Sequence, residues 1–518
     1  MGDIQIAAKL AEPFGSFPQI IADNATALGS KPALKDDETC LTWAELGDKV
    51  ERISAQLAED GLERGQSVAI LGYSSIPYAL VFLAAVRAGG VAAPLTTSAS
   101  PDQLAGMARD SGAKHIFIDR AKLDELGDEY FAGMTRIVLD EDLDGWMAPA
   151  GSRAPALDPQ PQDPFNIIYS SGTTGIPKGI VHSHQMRWRQ FAATASSWLE
   201  NGLPVRTFAS TPLYSNTTMV AFMPPLLAGG TVRVTRKFDV LRWLEHAQAD
   251  RTTATMLVPV QYRRLMQEPR FDEFDLSSLQ LKYCTSAPFP ADLKREVLDR
   301  MPGALVEIYS MTEGGVVCLL EAHKFPDKLH TVGRPAPGSE LKVLDDEDNP
   351  VAPGQAGNLV GRSQTMMSGY KNQPGKTHEG YWTDPETGEV WQRMGDIGRV
   401  DAEGFVELVG RAKDMIISGG FNIFPIDLED ELAKEDDVVE AAVIGVPSER
   451  WGETPVGFVM LRDGARNCEA IREAVNSRLG KTQRLAQLHS IDEMPRSHIG
   501  KLLKTDLRAE AERRGLPE

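Results

Sequence analysis

The sequence predicts an α/β protein: a large N-terminal domain of two α/β subdomains plus a small β region, then a small α/β C-terminal domain. Three observations predict it. From residue 42 to about 325, segments with strand and helix periods alternate, which implies βαβ units and a parallel sheet. Over 331–411 the texture changes to short strands and turns, as in GRPAPGSELKVLD and DAEGFVELVG. Residues 414–518 return to mixed helix and strand.

Thr42 and Glu45 have the spacing of a capping box, and Trp43, Leu46, Val50, Ile53, Leu57 and Leu62 recur at helical spacing, so 42–62 reads as a helix. A short buried strand at 68–71 follows. Next come a helix at 77–87 closed by Gly89-Gly90, a strand at 91–94, a helix at 101–111 and a strand at 115–118. Residues 148–164, rich in Pro, Ala and Asp, read as a surface connection. A strand at 166–169 leads into a Gly/Ser/Thr loop. The second α/β stretch has strands at 207–210, 232–234 and 254–258 and helices at 217–227 and 240–249. The end domain has a strand at 415–417, a helix at 425–434, a strand at 441–446 and a helix at 468–479.

Composition excludes several function classes. The 518 residues imply more than one domain, and 42% hydrophobic against 25% charged residues is ordinary for a globular chain. The net charge of -19 argues against a nucleic-acid binder and against docking on an anionic membrane. The longest apolar run, 79–86, is far too short to span a bilayer, so no stable membrane insertion is expected. Cys40, Cys284, Cys318 and Cys468 form no CxxC pair, which disfavours a zinc ribbon and suggests reduced thiols in a cytoplasm. The N-terminus lacks a signal-peptide pattern and Gly2 is a poor myristoylation site.

The most informative string is YSSGTTGIPKG at 169–179. Glycines let backbone N–H groups approach an anion, hydroxyls add donors, and a lysine adds a point charge, so the loop suits a polyphosphate. It is not the Gly-Lys-Ser/Thr loop of ordinary P-loop kinases, because Lys178 follows Pro177 and precedes Gly179. Four further strings accompany it: YSMTEG at 309–314, Gly395-Asp396, GRAKDMIISGGFN at 410–422 and PRSHIGK at 495–501. With these motifs in this order, the chain resembles the adenylate-forming enzymes, which include acyl- and aryl-CoA synthetases, peptide-synthetase adenylation domains and firefly luciferase. The resemblance covers nearly the whole chain.

The resemblance implies an ATP- and acid-binding adenylation domain at 1–411, a hinge near Lys413, and a small mobile domain at 414–518 with the catalytic lysine and the thioester-forming loop. In the family reaction a carboxylate attacks the α-phosphorus of ATP, giving an acyl-adenylate and pyrophosphate; a thiol, usually of coenzyme A, then displaces AMP. By this resemblance Ser170, Ser171, Gly172, Thr173, Thr174, Gly175 and Lys178 hold phosphates. Thr312 contacts the α-phosphate, and Glu313 binds Mg²⁺. Tyr309 and the Ser286-Ala287-Pro288 turn flank adenine, and Asp396, backed by Arg411, takes the ribose hydroxyls. Lys501 bridges the carboxylate and the α-phosphate as charge builds. Gly419, Gly420 and Phe421 form part of a pantetheine channel, although the two glycines also read as a turn. His182 and His184 read as residues at the start of a helix.

After Thr211-Pro-Leu-Tyr214, many acid–CoA ligases have histidine, whereas this chain has Ser215. Tyr214, Ser215, Asn216, Ser310, Met311 and Gly315 are candidates for the acyl pocket. They suit an aromatic, benzoate- or hydroxycinnamate-like acid about as well as a medium- or long-chain fatty acid. The expected function is an AMP-forming carboxylic acid–CoA ligase. Alternatives are an adenylating enzyme that loads a separate carrier protein and a non-catalytic nucleotide-binding regulatory protein. Oligomeric state stays open between monomer and homodimer.

Overall fold

The structure, a computed structural model, describes residues 2–170, 178–418, 421–480, 483–497 and 500–516. Two sheets carry most of the chain. One has nine strands, in the order Arg334–Pro335, Gly314–Glu321, Ala304–Met311, Leu281–Cys284, Ala254–Leu257, Arg206–Ala209, Thr231–Val234, Pro32–Lys35 and Cys40–Thr42. Its six central strands are parallel, from Ala304–Met311 to Pro32–Lys35. The second has seven strands, in the order Gly369–Tyr370, Lys178–Ser183, Pro164–Ser170, Val91–Pro94, Ser67–Leu71, His115–Ile118 and Thr135–Val138.

The main core lies where these sheets face each other. Helices Ile76–Arg87 and Asn216–Leu227 are apolar on nearly every side, as helices sandwiched between layers must be, and they share one cluster with residues of both sheets such as Phe165 and Val232. The expected capping box holds, with Thr42 accepting from Glu45 N and Glu45 accepting from Thr42 N, and it opens helix Trp43–Glu59. Gly90 ends the turn after Ile76–Arg87, where a Cβ would meet Gln66 O at 3.0 Å.

The small β region forms a five-stranded antiparallel sheet built on Ser339–Leu344, Gly357–Ser363, Val390–Val400, Tyr381–Thr383 and Val406–Arg411. After the short turn Ala412–Asp414 a fourth sheet begins with Ile416–Ser418 and Phe421–Ile423 and is dominated by the hairpin Val438–Ser448/Gly452–Leu461. Helices Pro425–Ala433, Cys468–Arg478 and Lys504–Arg513 pack on it with their own apolar clusters. The overall architecture is thus mixed α/β.

Candidate active site

A cleft with a volume of about 3560 Å³ runs between the two large sheets and the C-terminal sheet. At one end Pro164–Ser170 and Lys178–Ser183 form an antiparallel hairpin, with Ser170 directly paired to Lys178. Ser171, Gly172, Thr173, Thr174 and Gly175 lie outside the described residues. Lys178 Nζ sits 4.9 Å from the centre of the Tyr370 ring.

Across the cleft, Ala304–Met311 and Gly314–Glu321 form a second hairpin in which Met311 pairs with Gly314. Thr312 and Glu313 are therefore the whole turn. Gly314 has φ +90 and its Cβ position lies 2.3 Å from Thr365 O, so only glycine lets the next segment cover the turn. Tyr370 donates to Glu313 Oε1 at 2.9 Å and Met367 N to Glu313 O at 2.8 Å. Thr312 O meets His182 Nε2 at 2.8 Å.

This contact corrects the expectation for His182. The residue lies on strand Lys178–Ser183, not at a helix start, and is fully buried. The apolar/polar pattern after Lys178 was too short to show a strand. His184 does open helix His184–Glu200, where burial lowers its pKa to about 4. Burial and the adjacent Arg187 hold the His182 ring well below the ordinary histidine value.

Farther along the cleft, Tyr309 donates to Asp396 Oδ2 at 2.7 Å, and Arg411 Nε lies 2.9 Å from Asp396 Oδ1. Asp396 and Arg411 are brought together because Val390–Val400 and Val406–Arg411 pair with these two residues opposite each other. Burial raises the Asp396 pKa, partly offset by Arg411, Tyr309 and the charge of Lys501. The turn holding Ser286, Ala287 and Pro288 lines the same cleft. Ser286 has φ +83, an uncommon conformation for a non-glycine residue, and its hydroxyl bonds Thr217 Oγ1 at 2.5 Å.

Lys501 enters from the C-terminal sheet's side and lines the cleft with Lys413 and Arg411. Its loop is clamped. Ser497 N donates to Lys501 O at 2.8 Å, Arg496 donates to Gly500 O at 2.6 Å, and the same guanidinium is ion-paired with Glu440. Gly500 approaches Val260 of helix Pro259–Met266. Partial desolvation by the cleft walls, then the charges of Arg411 and Lys413, lowers the pKa of the Lys501 ammonium. Burial likewise lowers that of Lys413, which sits in the short turn Ala412–Asp414.

Tyr214, Ser215, Asn216, Ser310 and Met311 line the cleft. Ser215 also caps helix Asn216–Leu227, and Asn216 Oδ1 is buried with no hydrogen-bond partner among the described residues. Gly315 is not on the cleft wall; a Cβ there would meet Met394 Sδ at 2.6 Å, so it serves close packing with Val390–Val400. Phe421 is 57% exposed and away from the cleft in this arrangement, and Gly419 and Gly420 lie outside the described residues. Sequence reasoning placed His182 at a helix start and missed Arg187 and the Arg496–Glu440 clamp. For Arg496 the signal was present inside PRSHIGK, but its partner Glu440 is distant in sequence.

Comparison with known proteins gives a consistent result. Residues 21–371 match the family model of AMP-binding enzymes, and 427–501 match that of the AMP-binding enzyme C-terminal domain. An indoleacetate–CoA ligase of Aromatoleum aromaticum is 32% identical over 506 residues, covering 92% of this chain and 94% of that one. A feruloyl-CoA synthase of Amycolatopsis sp is 33% identical over 486 residues, covering 92% and 95%. Among solved structures, ATP-bound MatB from Rhodopseudomonas palustris is 28% identical, with a TM-score of 0.84 and coverage of 96% of this chain and 99% of that one.

Proposed function

The chain belongs to the AMP-binding enzyme family, and from that premise we propose that it is an ATP-dependent, AMP-forming carboxylic acid–CoA ligase. The observation that carries the reading is the convergence on one cleft of Lys178, Thr312, Glu313, the Tyr309–Asp396–Arg411 network and Lys501, beside a recess lined by Tyr214, Ser215 and Asn216. Relatives named as indoleacetate–CoA ligase, feruloyl-CoA synthase and a medium/long-chain-fatty-acid–CoA ligase support an aromatic or fatty acid as substrate.

An ionised carboxylate needs no general base, so the work of the site is positioning and charge neutralisation. A carboxylate oxygen attacks the α-phosphorus, the bond to the bridging oxygen of the β-phosphate breaks, and pyrophosphate leaves. Lys501 offsets the charge shared by the attacking oxygen and the α-phosphate. Thr312 donates to an α-phosphate oxygen, and Lys178 neutralises the departing phosphates. Asp396 accepts from the ribose hydroxyls, its two oxygens oriented by Tyr309 and Arg411. Glu313 suits Mg²⁺: Tyr370 holds Oε1, and one protein carboxylate beside phosphate oxygens and waters is how this hard cation is commonly bound. When bound, the ion supplies further neutralisation of phosphate charge.

In the second half the thiol of coenzyme A attacks the acyl carbonyl and AMP departs. We propose that 1–411 and 414–518 act as two domains, and that rotation near Lys413 withdraws Lys501 and brings Gly419, Gly420 and Phe421 to the site. The arrangement described, with Lys501 in the cleft and Phe421 outside it, is the one suited to adenylation. We assign the reaction to the cytoplasm, where four free cysteines stay reduced; among the described residues no helix is long and apolar enough to cross a membrane. The test is ATP–pyrophosphate exchange and acyl-CoA formation across aromatic and fatty acids. Exchange without turnover on free coenzyme A would instead favour carrier loading, and no exchange on any acid would refute the reading.

A further inference from the structure

His182 sits near the far end of the strand that begins at Lys178, fully buried beneath the Thr312–Glu313 turn. Its two ring nitrogens meet different partners: Nε2 lies 2.8 Å from Thr312 O and Nδ1 lies 2.9 Å from an Arg187 guanidinium nitrogen. A guanidinium only donates. Nδ1 must therefore accept, the ring proton must sit on Nε2, and Nε2–H donates to the Thr312 carbonyl. Arg187 is itself fully buried and fixed, donating to Asn166 Oδ1 at 2.9 Å and to Gln190 Oε1 at 2.8 Å. Asn166 is the cross-strand neighbour of His182, so this chain of donors is built into the hairpin that bounds the phosphate loop.

The turn has only two residues; each carbonyl accepts one bond, and Tyr370 also holds the Glu313 carboxylate. Met367 N secures the carbonyl of Glu313. The other rests on His182. We infer that His182 is a positioning residue for adenylate formation, its Nε2–H fixing the Thr312 carbonyl and so aiming the Thr312 hydroxyl and Glu313 carboxylate, with Arg187 selecting the tautomer. The inference rests on the ligase reading above. Loss of the ring leaves a buried carbonyl without its donor and frees the turn to rotate. A displacement of about 1 Å at a reacting group costs on the order of 100-fold in rate.

The test compares His182→Ala with His182→Gln, whose amide nitrogen reaches about as far as Nε2 and retains a donor. In acid-dependent pyrophosphate exchange, kcat for His182→Ala is expected to fall roughly 10- to 100-fold with little change in the KM for the acid, and His182→Gln to recover most of it. Combined with Thr312→Val, His182→Ala should cost clearly less than it does alone, because part of its effect passes through the Thr312 hydroxyl. Losses that multiply in the double variant, or a glutamine variant no better than alanine, would overturn the assignment. Nitrogen NMR of the wild-type ring gives a readout apart from activity: a proton on Nε2 is expected, and one on Nδ1 alone contradicts the inference even if His182→Ala does not fold. A wild-type chain with no exchange on any acid overturns the ligase reading instead, and the ring proton then still decides the bond to Thr312.

Discussion

Gly500→Ala adds one methyl group at the point where the Lys501 loop meets helix Pro259–Met266. The new Cβ would lie 2.5 Å from Val260 Cγ1 and 3.5 Å from Val258 Cγ2. Ordinary carbon contacts begin near 3.5 Å, so the first contact is an overlap of roughly 1 Å. Val260 is β-branched within helix Pro259–Met266 and has one strongly preferred rotamer, so it yields poorly. Overpacking of this kind costs about 1–3 kcal/mol. Gly500 also has φ +75, which adds about 1–2 kcal/mol for alanine wherever the loop stands. On the proposed rotation near Lys413, the overlap arises only where Lys501 lines the cleft, whereas the backbone penalty belongs to the loop itself. Adenylation should therefore slow by about 5- to 150-fold relative to thioester formation. The assay is pyrophosphate exchange for the first half and acyl-CoA formation from supplied acyl-adenylate for the second. Equal loss in both halves would refute a role for this contact in one arrangement only.

Asp396→Asn should raise the KM for ATP by about 10- to 150-fold, the equivalent of one charge-assisted hydrogen bond of about 1.5–3 kcal/mol. The variant should be less sensitive than wild type to replacing ATP by 2′-deoxy-ATP; undiminished sensitivity would remove the ribose role. Because burial raises the Asp396 pKa and the ionised form accepts the hydroxyls, kcat/KM for ATP should fall with acid at a pH above the ordinary aspartate range. The same sign means that an ionised, buried Asp396 opposes folding at neutral pH, so the asparagine variant without ATP should be no less stable, which a melting curve checks. Lys501→Ala should abolish most exchange while sparing thioester formation from supplied adenylate; equal loss in the two halves would contradict its assignment. Ser286→Gly trades about 1 kcal/mol of relieved strain against about 0.5–1 kcal/mol of backbone entropy. Its Tm should hardly move while loss of the Thr217 bond raises the KM for ATP; an unchanged KM would show that the turn does not shape the adenine site.

Elements whose apolar spacing matches one buried face were legible. Trp43–Glu59 announced itself by period and cap, and Val91–Pro94, Pro101–Ser111 and His115–Ile118 were bounded by Gly and Pro. The start of helix His184–Glu200 was legible at His184, but its extent was not, because buried Arg187 occupies a position where the pattern expects an apolar side chain. Lys178–Ser183 hid for a related reason: it is buried on both sides at His182, so polar and apolar residues do not alternate by face. The site shows the same division. Motif residues such as Asp396 and Lys501, named from the sequence, do line the cleft, whereas their supports come from sequence-distant strands. Tyr309 reaches Asp396 across 87 positions and Glu440 reaches Arg496 across 56, and only folding creates those pairs. Gly315 shows the converse, since a glycine beside a motif can serve packing against Met394 and not the ligand.

The central claim is that a carboxylate oxygen of the acid attacks the α-phosphorus of ATP. It is tested most directly by giving the enzyme ATP, coenzyme A and its best acid labelled with heavy oxygen in the carboxylate, then weighing the nucleotide product. Attack at the α-phosphorus puts one labelled oxygen into AMP. Label in inorganic phosphate with ADP as the nucleotide product, or unlabelled AMP, would contradict it.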